Sequence, residues 1–143
     1  MKNLLEFFLL FVFATFIAKD CAQPNESQLI VETEELALRA ENGSRNYHLK
    51  FINNMMKKVC QVTFQLKVPS GSTLESYRNM ERISGTLDQF TLSDIDPIFP
   101  GQSYDQAVIT VNSNDGQAPE ITVIEINSVL STEKCPKETL RKR

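Results

Sequence analysis

One stretch constrains this chain more than any other: Val59-Cys60-Gln61-Val62-Thr63-Phe64-Gln65-Leu66-Lys67-Val68, followed by Pro69-Ser70-Gly71-Ser72. Cys60, Val62, Phe64, Leu66 and Val68 alternate with Gln61, Thr63, Gln65 and Lys67. Successive side chains of a β-strand point to opposite faces, so this segment buries one face and wets the other. The Pro-Ser-Gly-Ser run then turns the chain. The pattern predicts a half-buried strand of a sandwich or an open sheet.

Similar segments recur at short intervals. Residues 28–34 read as a first strand, followed by a mixed stretch over 36–40 and a turn at Asn42-Gly43-Ser44, since Asn-Gly is a strong hairpin signal. Residues 47–52 alternate again, and Asn53 to Lys58 link them to the long strand at 59–68. Further strands are predicted over 74–80, 89–92, 104–112 and 121–126. Turns fall at Ser84-Gly85-Thr86 and Asn112-Ser113-Asn114-Asp115-Gly116, and residues 94–101, with Pro97, Pro100 and Gly101, read as loop. No amphipathic helical pattern is found between residues 40 and 130. Short strands separated by Gly, Asn and Pro turns point to an all-β fold, an immunoglobulin-like antiparallel β-sandwich.

The ends of the chain differ from its middle. Lys2 precedes an apolar run from Phe7 to Ala18, closed by Lys19 and Asp20. A run this short does not span a bilayer and has the form of a signal peptide, assigned to residues 1–22. Ala22 is a candidate for the last residue removed, although Asp20 stands where a small residue is preferred. Residues 23–130 suffice for one domain with a proper core and are too few for two. Residues 131–143 form a basic C-terminal tail carrying Lys134, Lys137, Arg141, Lys142 and Arg143; a solvated end, a polyanion contact and a nuclear signal all remain open for it. The expected location is secreted and extracellular.

Net charge is −3, with both signs interspersed. A nucleic-acid-binding domain would carry a basic face, so nucleic acid is excluded as the expected partner. Of three cysteines, Cys21 falls at the signal peptide's edge. An oxidising compartment favours pairing Cys60 with Cys135, which would close a loop of about 75 residues, worth about 4 kcal/mol in the chain-entropy treatment. Cys60 also lies on the apolar face of its strand, which suits a buried free thiol, so both states stay open. Asn25-Glu26-Ser27 and Asn42-Gly43-Ser44 are glycosylation sequons, with Asn25 and Asn42 as acceptors.

Chemistry for catalysis is sparse. The single histidine, His48, sits between Tyr47 and Leu49 in a strand, where a satisfied or solvent-facing ring is expected. There is no Cys-x-x-Cys or His-x-His spacing for a metal and no glycine-rich phosphate loop, so neither metal nor cofactor is expected. Glu34, Glu35, Asp94 and Asp96 are the carboxylates closest in sequence. A hydrolytic pair needs a cleft that shifts its pKa values, so these read as solvated charges and the protein as a non-enzyme. A binding surface is what remains.

From residue 42 to about 129 several pieces occur in an ordered set: Phe51-Ile52-Asn53-Asn54, Val59-Cys60-Gln61-Val62-Thr63-Phe64, Pro69-Ser70-Gly71-Ser72-Thr73, Asn79-Met80-Glu81 and Gly85-Thr86. Gln89-Phe90-Thr91-Leu92, Pro100-Gly101-Gln102-Ser103-Tyr104 and Ile121-Thr122-Val123 complete it. In order and spacing the set resembles the family 2 carbohydrate-binding modules. It is closest to the variant that plant-parasitic nematodes secrete or attach to cellulases and expansin-like proteins. The resemblance implies a sandwich on which exposed Trp rings stack on glucose rings, with polar neighbours bonding the hydroxyls. The matching positions here are Ala40, Arg78 and Ile95, and the chain holds no Trp.

On that resemblance the candidate carbohydrate-binding residues are Tyr77, Arg78, Asn79, Ile95, Gln102 and Tyr104. Tyr77 would stack on a sugar ring; Arg78 would lie against one or reach hydroxyls. Asn79 and Gln102 would bond hydroxyls or stabilise turns, Ile95 would add an apolar contact, and Tyr104 would contact sugar or start a strand. The implied function is non-catalytic binding of plant cell-wall polysaccharide (cellulose), weakened or altered in specificity, by a monomer with no membrane contact after signal removal. The alternative is a sandwich scaffold re-employed as a secreted effector that binds a host protein.

Overall fold

The structure, a computed structural model, describes residues 28–36, 43–92, 95–113 and 116–136. Among them the strands are β1 (Leu29–Glu35), β2 (Ser44–Asn53), β3 (Lys58–Lys67), β4 (Thr73–Arg78), β5 (Glu81–Arg82), β6 (Gln89–Leu92), β7 (Ser103–Asn112) and β8 (Glu120–Val129). They form two four-stranded antiparallel sheets, ordered β1-β2-β7-β4 and β5-β6-β3-β8. The chain crosses between sheets five times, at β2–β3, β3–β4, β4–β5, β6–β7 and β7–β8, while β2 neighbours β7 and β3 neighbours β8. The first sheet has the A-B-E-D form of an immunoglobulin-like sandwich, with the short β5 and β6 inserted. The all-β antiparallel sandwich expected from the alternation is therefore the fold.

The alternating apolar residues meet between the sheets. Tyr47, Leu49 and Phe51 of β2 and Ile109 and Val111 of β7 face Val62, Phe64 and Leu66 of β3 and Phe90 and Leu92 of β6, all buried. The rings of Phe51 and Phe64 lie 5.2 Å apart across the sheets, and Phe64 and Phe90 lie 6.1 Å apart within one. After β3, the Ser72 amide donates to the Pro69 carbonyl over 3.0 Å, with Gly71 at φ 79°. That left-handed third position is why glycine stands in this turn.

One detail of the alternation is corrected. Cys60 was expected on the buried face, but the register against β8 shifts between Val59 and Gln61. This bulge inserts one residue, so Val59 is fully buried and Cys60 only half-buried. Val59 also bridges Ile98, with both backbone hydrogen bonds at 2.9 Å, inside the segment expected to be loop. Cys60, displaced from the core, pairs with Cys135, 75 residues away and 5.6 Å distant between Cα atoms. The disulfide, not the free thiol, is the state of these cysteines.

Other boundaries move slightly. The strand expected over 74–80 ends at Arg78, because Asn79 adopts φ 57°, and the two-residue β5 follows. The strand expected over 121–126 runs from Glu120 to Val129. The expected signal peptide, Asn25, Ala40, Asn42, Asp94 and residues 137–143 lie outside the described residues. Among the described residues no helix is long and apolar enough to cross a membrane.

Candidate functional site

The registers place β2–β3, β4–β5 and β6–β7 turns, together with the exit of β8, at one end of the sandwich. A buried amide organises that end. Asn53 is fully buried, and its Nδ2 donates to the carbonyls of Lys57 (2.8 Å) and Ile98 (2.7 Å). Its Oδ1 accepts from the Met55 amide at 2.9 Å. Its own backbone bonds Gln102 and Gly101, at 2.9 and 2.8 Å. A buried amide so fully satisfied fixes loop shape at little desolvation cost. The result is a tight turn at Phe99-Pro100-Gly101-Gln102, with Gly101 at φ 77° and Phe99 held outward, 39% exposed. The Lys58 ammonium lies 5.4 Å from the centre of the Phe99 ring and donates to the Ser131 carbonyl over 3.3 Å.

The six residues predicted from sequence do not form one surface. Tyr77 points between the sheets, its ring edge-on to Phe90 at 5.1 Å. The guanidinium carbon of Arg82 lies 5.4 Å from the Tyr77 ring centre and 5.3 Å from that of Phe90. Tyr77 is thus the closing ring of one flank of the sandwich. Arg78, the next residue on the strand, projects to the opposite face of the same sheet, in a row with Val108, His48 and Glu34. Strand alternation separates the pair that adjacency in sequence had joined.

Asn79 and Tyr104 are brought together. The Tyr104 hydroxyl donates to the Asn79 carbonyl over 3.2 Å, and Asn79 Nδ2 donates to the Gln106 carbonyl over 2.8 Å. These bonds anchor to β7 a residue that occupies the left-handed region, where Asn is favoured among non-glycine residues. Burial, then the nearby Asp105 carboxylate, raises the Tyr104 pKa above its usual 10.0. Ile95 packs against the core, and Gln102 is exposed. Phe99, Lys58 and Arg82 were missed; the one signal for Phe99 was its position before a Pro-Gly turn.

The outer face of the second sheet has a different character. Registers align Glu81, Thr91, Thr63 and Glu125 in one row across four strands, with Gln89, Gln65 and Thr122 beside it and Gln61 opposite Asn127. Gln61 Nε2 donates to Thr91 Oγ1 at 3.1 Å, which donates on to the Val62 carbonyl at 3.2 Å. Gln65 Nε2 donates to Asp88 Oδ2 at 2.6 Å. Amides and hydroxyls held this way are fixed in orientation on the sheet surface. The first sheet's outer face carries Glu32 and Lys50, paired at 3.7 Å, with Arg78 and Glu34.

Of the carboxylates singled out in sequence, Asp94 lies outside the described residues. Glu35 is held by Arg45 at 3.1 Å, and Glu34 is exposed on the outer face opposite His48. Glu81 and Glu125 are three strand spacings apart, about 14 Å, beyond the reach of a glycosidase pair. Among the described residues no group of three or more His, Cys, Asp or Glu is placed to hold a metal ion. Compared with models of known families, with curated proteins and with solved structures, the chain has no match in any of the three.

Proposed function

We propose that this protein is a secreted, non-catalytic binding module whose ligand is plant cell-wall polysaccharide, bound by hydrogen bonding rather than by ring stacking. The observation that carries this reading is the outer face of the β5-β6-β3-β8 sheet. There Gln61, Thr63, Gln65, Thr91 and Asn127 form a neutral polar lattice, in which hydrogen bonds orient Gln61, Gln65 and Thr91, flanked by Glu81 and Glu125. Adjacent hydroxyls of a glycan pair naturally with amides and carboxylates. The resemblance to family 2 carbohydrate-binding modules and the Cys60–Cys135 disulfide, at home in an oxidising compartment, agree with it.

The geometry shapes the specificity. Crystalline cellulose offers flat ring faces, which need broad exposed aromatic rings. Here Tyr77 is turned edge-on beneath Arg82, and Ile95 packs inward. Single hydrated chains, such as xylan or amorphous glucan, suit the sheet face better. The lack of a row of face-out rings supports a second reading, in which the sandwich serves as a secreted effector scaffold for a host protein.

The test is affinity electrophoresis in xylan and soluble β-glucan with a parallel pull-down on crystalline cellulose, using the native protein and a Gln61→Ala/Gln65→Ala variant. Retardation by a soluble glycan that the double variant loses, while its melting temperature holds, is the expected result. Migration unchanged by every polysaccharide would remove the glycan reading and leave the host-protein scaffold.

A further inference from the structure

The two edges of the second sheet differ. β5, at one edge, is two residues long, whereas β8, at the other, runs for ten and pairs only with β3 among the described residues. Strand edges that stay single are commonly short or defended by Lys or Pro; β8 is long and holds neither. Its free backbone groups can be located. Ile121 opposes Leu66, whose amide donates away from β8, to the Asp88 carbonyl at 2.8 Å. Ile126 opposes Val62, whose carbonyl accepts from Thr91 Oγ1 on the β6 side at 3.2 Å. Both are non-hydrogen-bonded positions of the β3–β8 ladder, so the N–H and C=O of Ile121 and Ile126 point to the free edge.

The side chains of β8 are complementary to a second copy of themselves. Ile121, Val123 and Ile126 oppose the buried Leu66, Phe64 and Val62, which puts them on the inner face. Glu120, Thr122, Glu125 and Asn127 oppose Lys67, Gln65, Thr63 and Gln61, on the outer face. Ile124, 50% exposed, is the extra residue of a second bulge between them. An antiparallel copy must match inner with inner residues and outer with outer. A two-fold axis between Val123 and Ile124 does so: Glu120 stands opposite Asn127 of the copy, Ile121 opposite Ile126, and Thr122 opposite Glu125. Each carboxylate then meets a neutral donor, and the outward backbone groups of Ile121 and Ile126 meet each other. Sliding the copy by one pleat repeat sets Glu120 against Glu125 in one direction and Glu125 against itself in the other, both like-charge contacts. An open cleft of roughly 430 Å³, lined in part by Leu29, Met55, Val123, Ile124 and Ile126, lies beside this edge.

We propose that this protein, in place of the monomer expected from sequence, forms a two-fold dimer by antiparallel pairing of β8 with β8 of a second copy. The two β5-β6-β3-β8 sheets become one sheet of eight strands. The Ile124 side chains of both copies meet beside the axis, at the mouths of the two clefts. The outer polar rows join, Thr122 of one copy continuing the row of Glu125 in the other. The pairing uses the strand edge and not the outer face, so it stands whatever ligand that face takes.

Thr122 offers a test specific to this register, because it is exposed and opposes Gln65 within its own sheet. Sedimentation equilibrium of the mature, disulfide-bonded chain is expected to show a reversible monomer–dimer equilibrium. Thr122→Glu creates two like-charge pairs with Glu125 across the axis and should weaken the dimer about tenfold; Thr122→Lys creates two opposite-charge pairs and should tighten it by a similar factor. The double variant Thr122→Glu/Glu125→Lys should recover association, and melting temperatures at low concentration establish that all three fold. Amide exchange at Ile121 and Ile126 should slow as protein concentration rises. A native protein that stays monomeric up to millimolar concentration overturns the proposal, even where those amides are protected, because something other than a second copy then covers the edge. So does a dimer whose dissociation constant ignores the Thr122 substitutions, because its interface then lies elsewhere.

Discussion

Asn53 shows how much one side chain can hold. Its amide bonds the carbonyls of Lys57 and Ile98 and the amide of Met55, from a position with no solvent exposure. Truncation would strip this partner from the Lys57 carbonyl and the Met55 N–H and leave the Ile98 carbonyl with the Val59 amide alone, at a cost in desolvation. Asn53→Ala is expected to lose about 2–4 kcal/mol in urea unfolding, and Asn53→Asp at least as much, since a carboxylate cannot donate to either carbonyl. Tyr104 makes a pH-dependent contribution. Its pKa is raised in the folded protein, by burial first and Asp105 second, so the folded state holds its proton at higher pH than the unfolded state does. Tyr104 therefore contributes stability in full below pH 10, and that contribution is lost as pH rises through 10 towards the raised folded value. Urea midpoints measured from pH 9 to 11 should fall more steeply for the native protein than for Tyr104→Phe.

Within the elements, the bulge at Cys60 matters most. It turns Val59 into the core, releases Cys60 to Cys135, and ties the β8 exit to β3 across 75 residues. A crosslink over that span restricts the unfolded chain strongly, so reduction or Cys135→Ser should cost about 2–4 kcal/mol and roughly 10 °C in melting temperature. Calorimetry with and without a reductant measures it, and a shift below a few degrees would mean that the turn after β8 holds by itself. The alternation in residues 59–68 was legible in sequence because period-two patterning survives wherever one sheet face is buried. The bulge was not legible: a one-residue register shift is decided by the partner strand, here through Val59 against Ser128 and Gln61 against Asn127. The same cause separates the candidate site from its prediction. Tyr77 and Arg78 are adjacent in sequence, yet the pleat sends one to the core flank and the other to the outer face. The Gln and Thr lattice was visible only as the wet half of a strand, because its other half comes from β6 and β8, which no local pattern aligns with it.

At the scale of the whole molecule, the two sheets share one core rather than stacking two. Phe51 of the first sheet, Phe64 and Phe90 of the second and Tyr77 of the first form a continuous run of ring contacts at 5.2, 6.1 and 5.1 Å. The backbone crosses between sheets five times, and the strands joined by the β2–β3 and β7–β8 crossings pair with one another in both layers. Neither sheet can detach without exposing the other's apolar face. Phe64 is the middle of this run, buried completely and paired through β3 with both β6 and β8. Phe64→Ala would leave a cavity among rings that cannot collapse into it, at a cost of about 3–5 kcal/mol, a large share of the 5–15 kcal/mol that domains of this size possess. The loss should fall on both layers at once. Far-UV circular dichroism, reporting all strands, and near-UV tyrosine signals, reporting Tyr47 and Tyr104 in the first sheet and Tyr77 on the flank, should trace one superimposable transition in the native protein and in Phe64→Ala, displaced to lower denaturant in the variant. Separation of the two signals would show that the sheets unfold independently and that the ring contacts do not couple them.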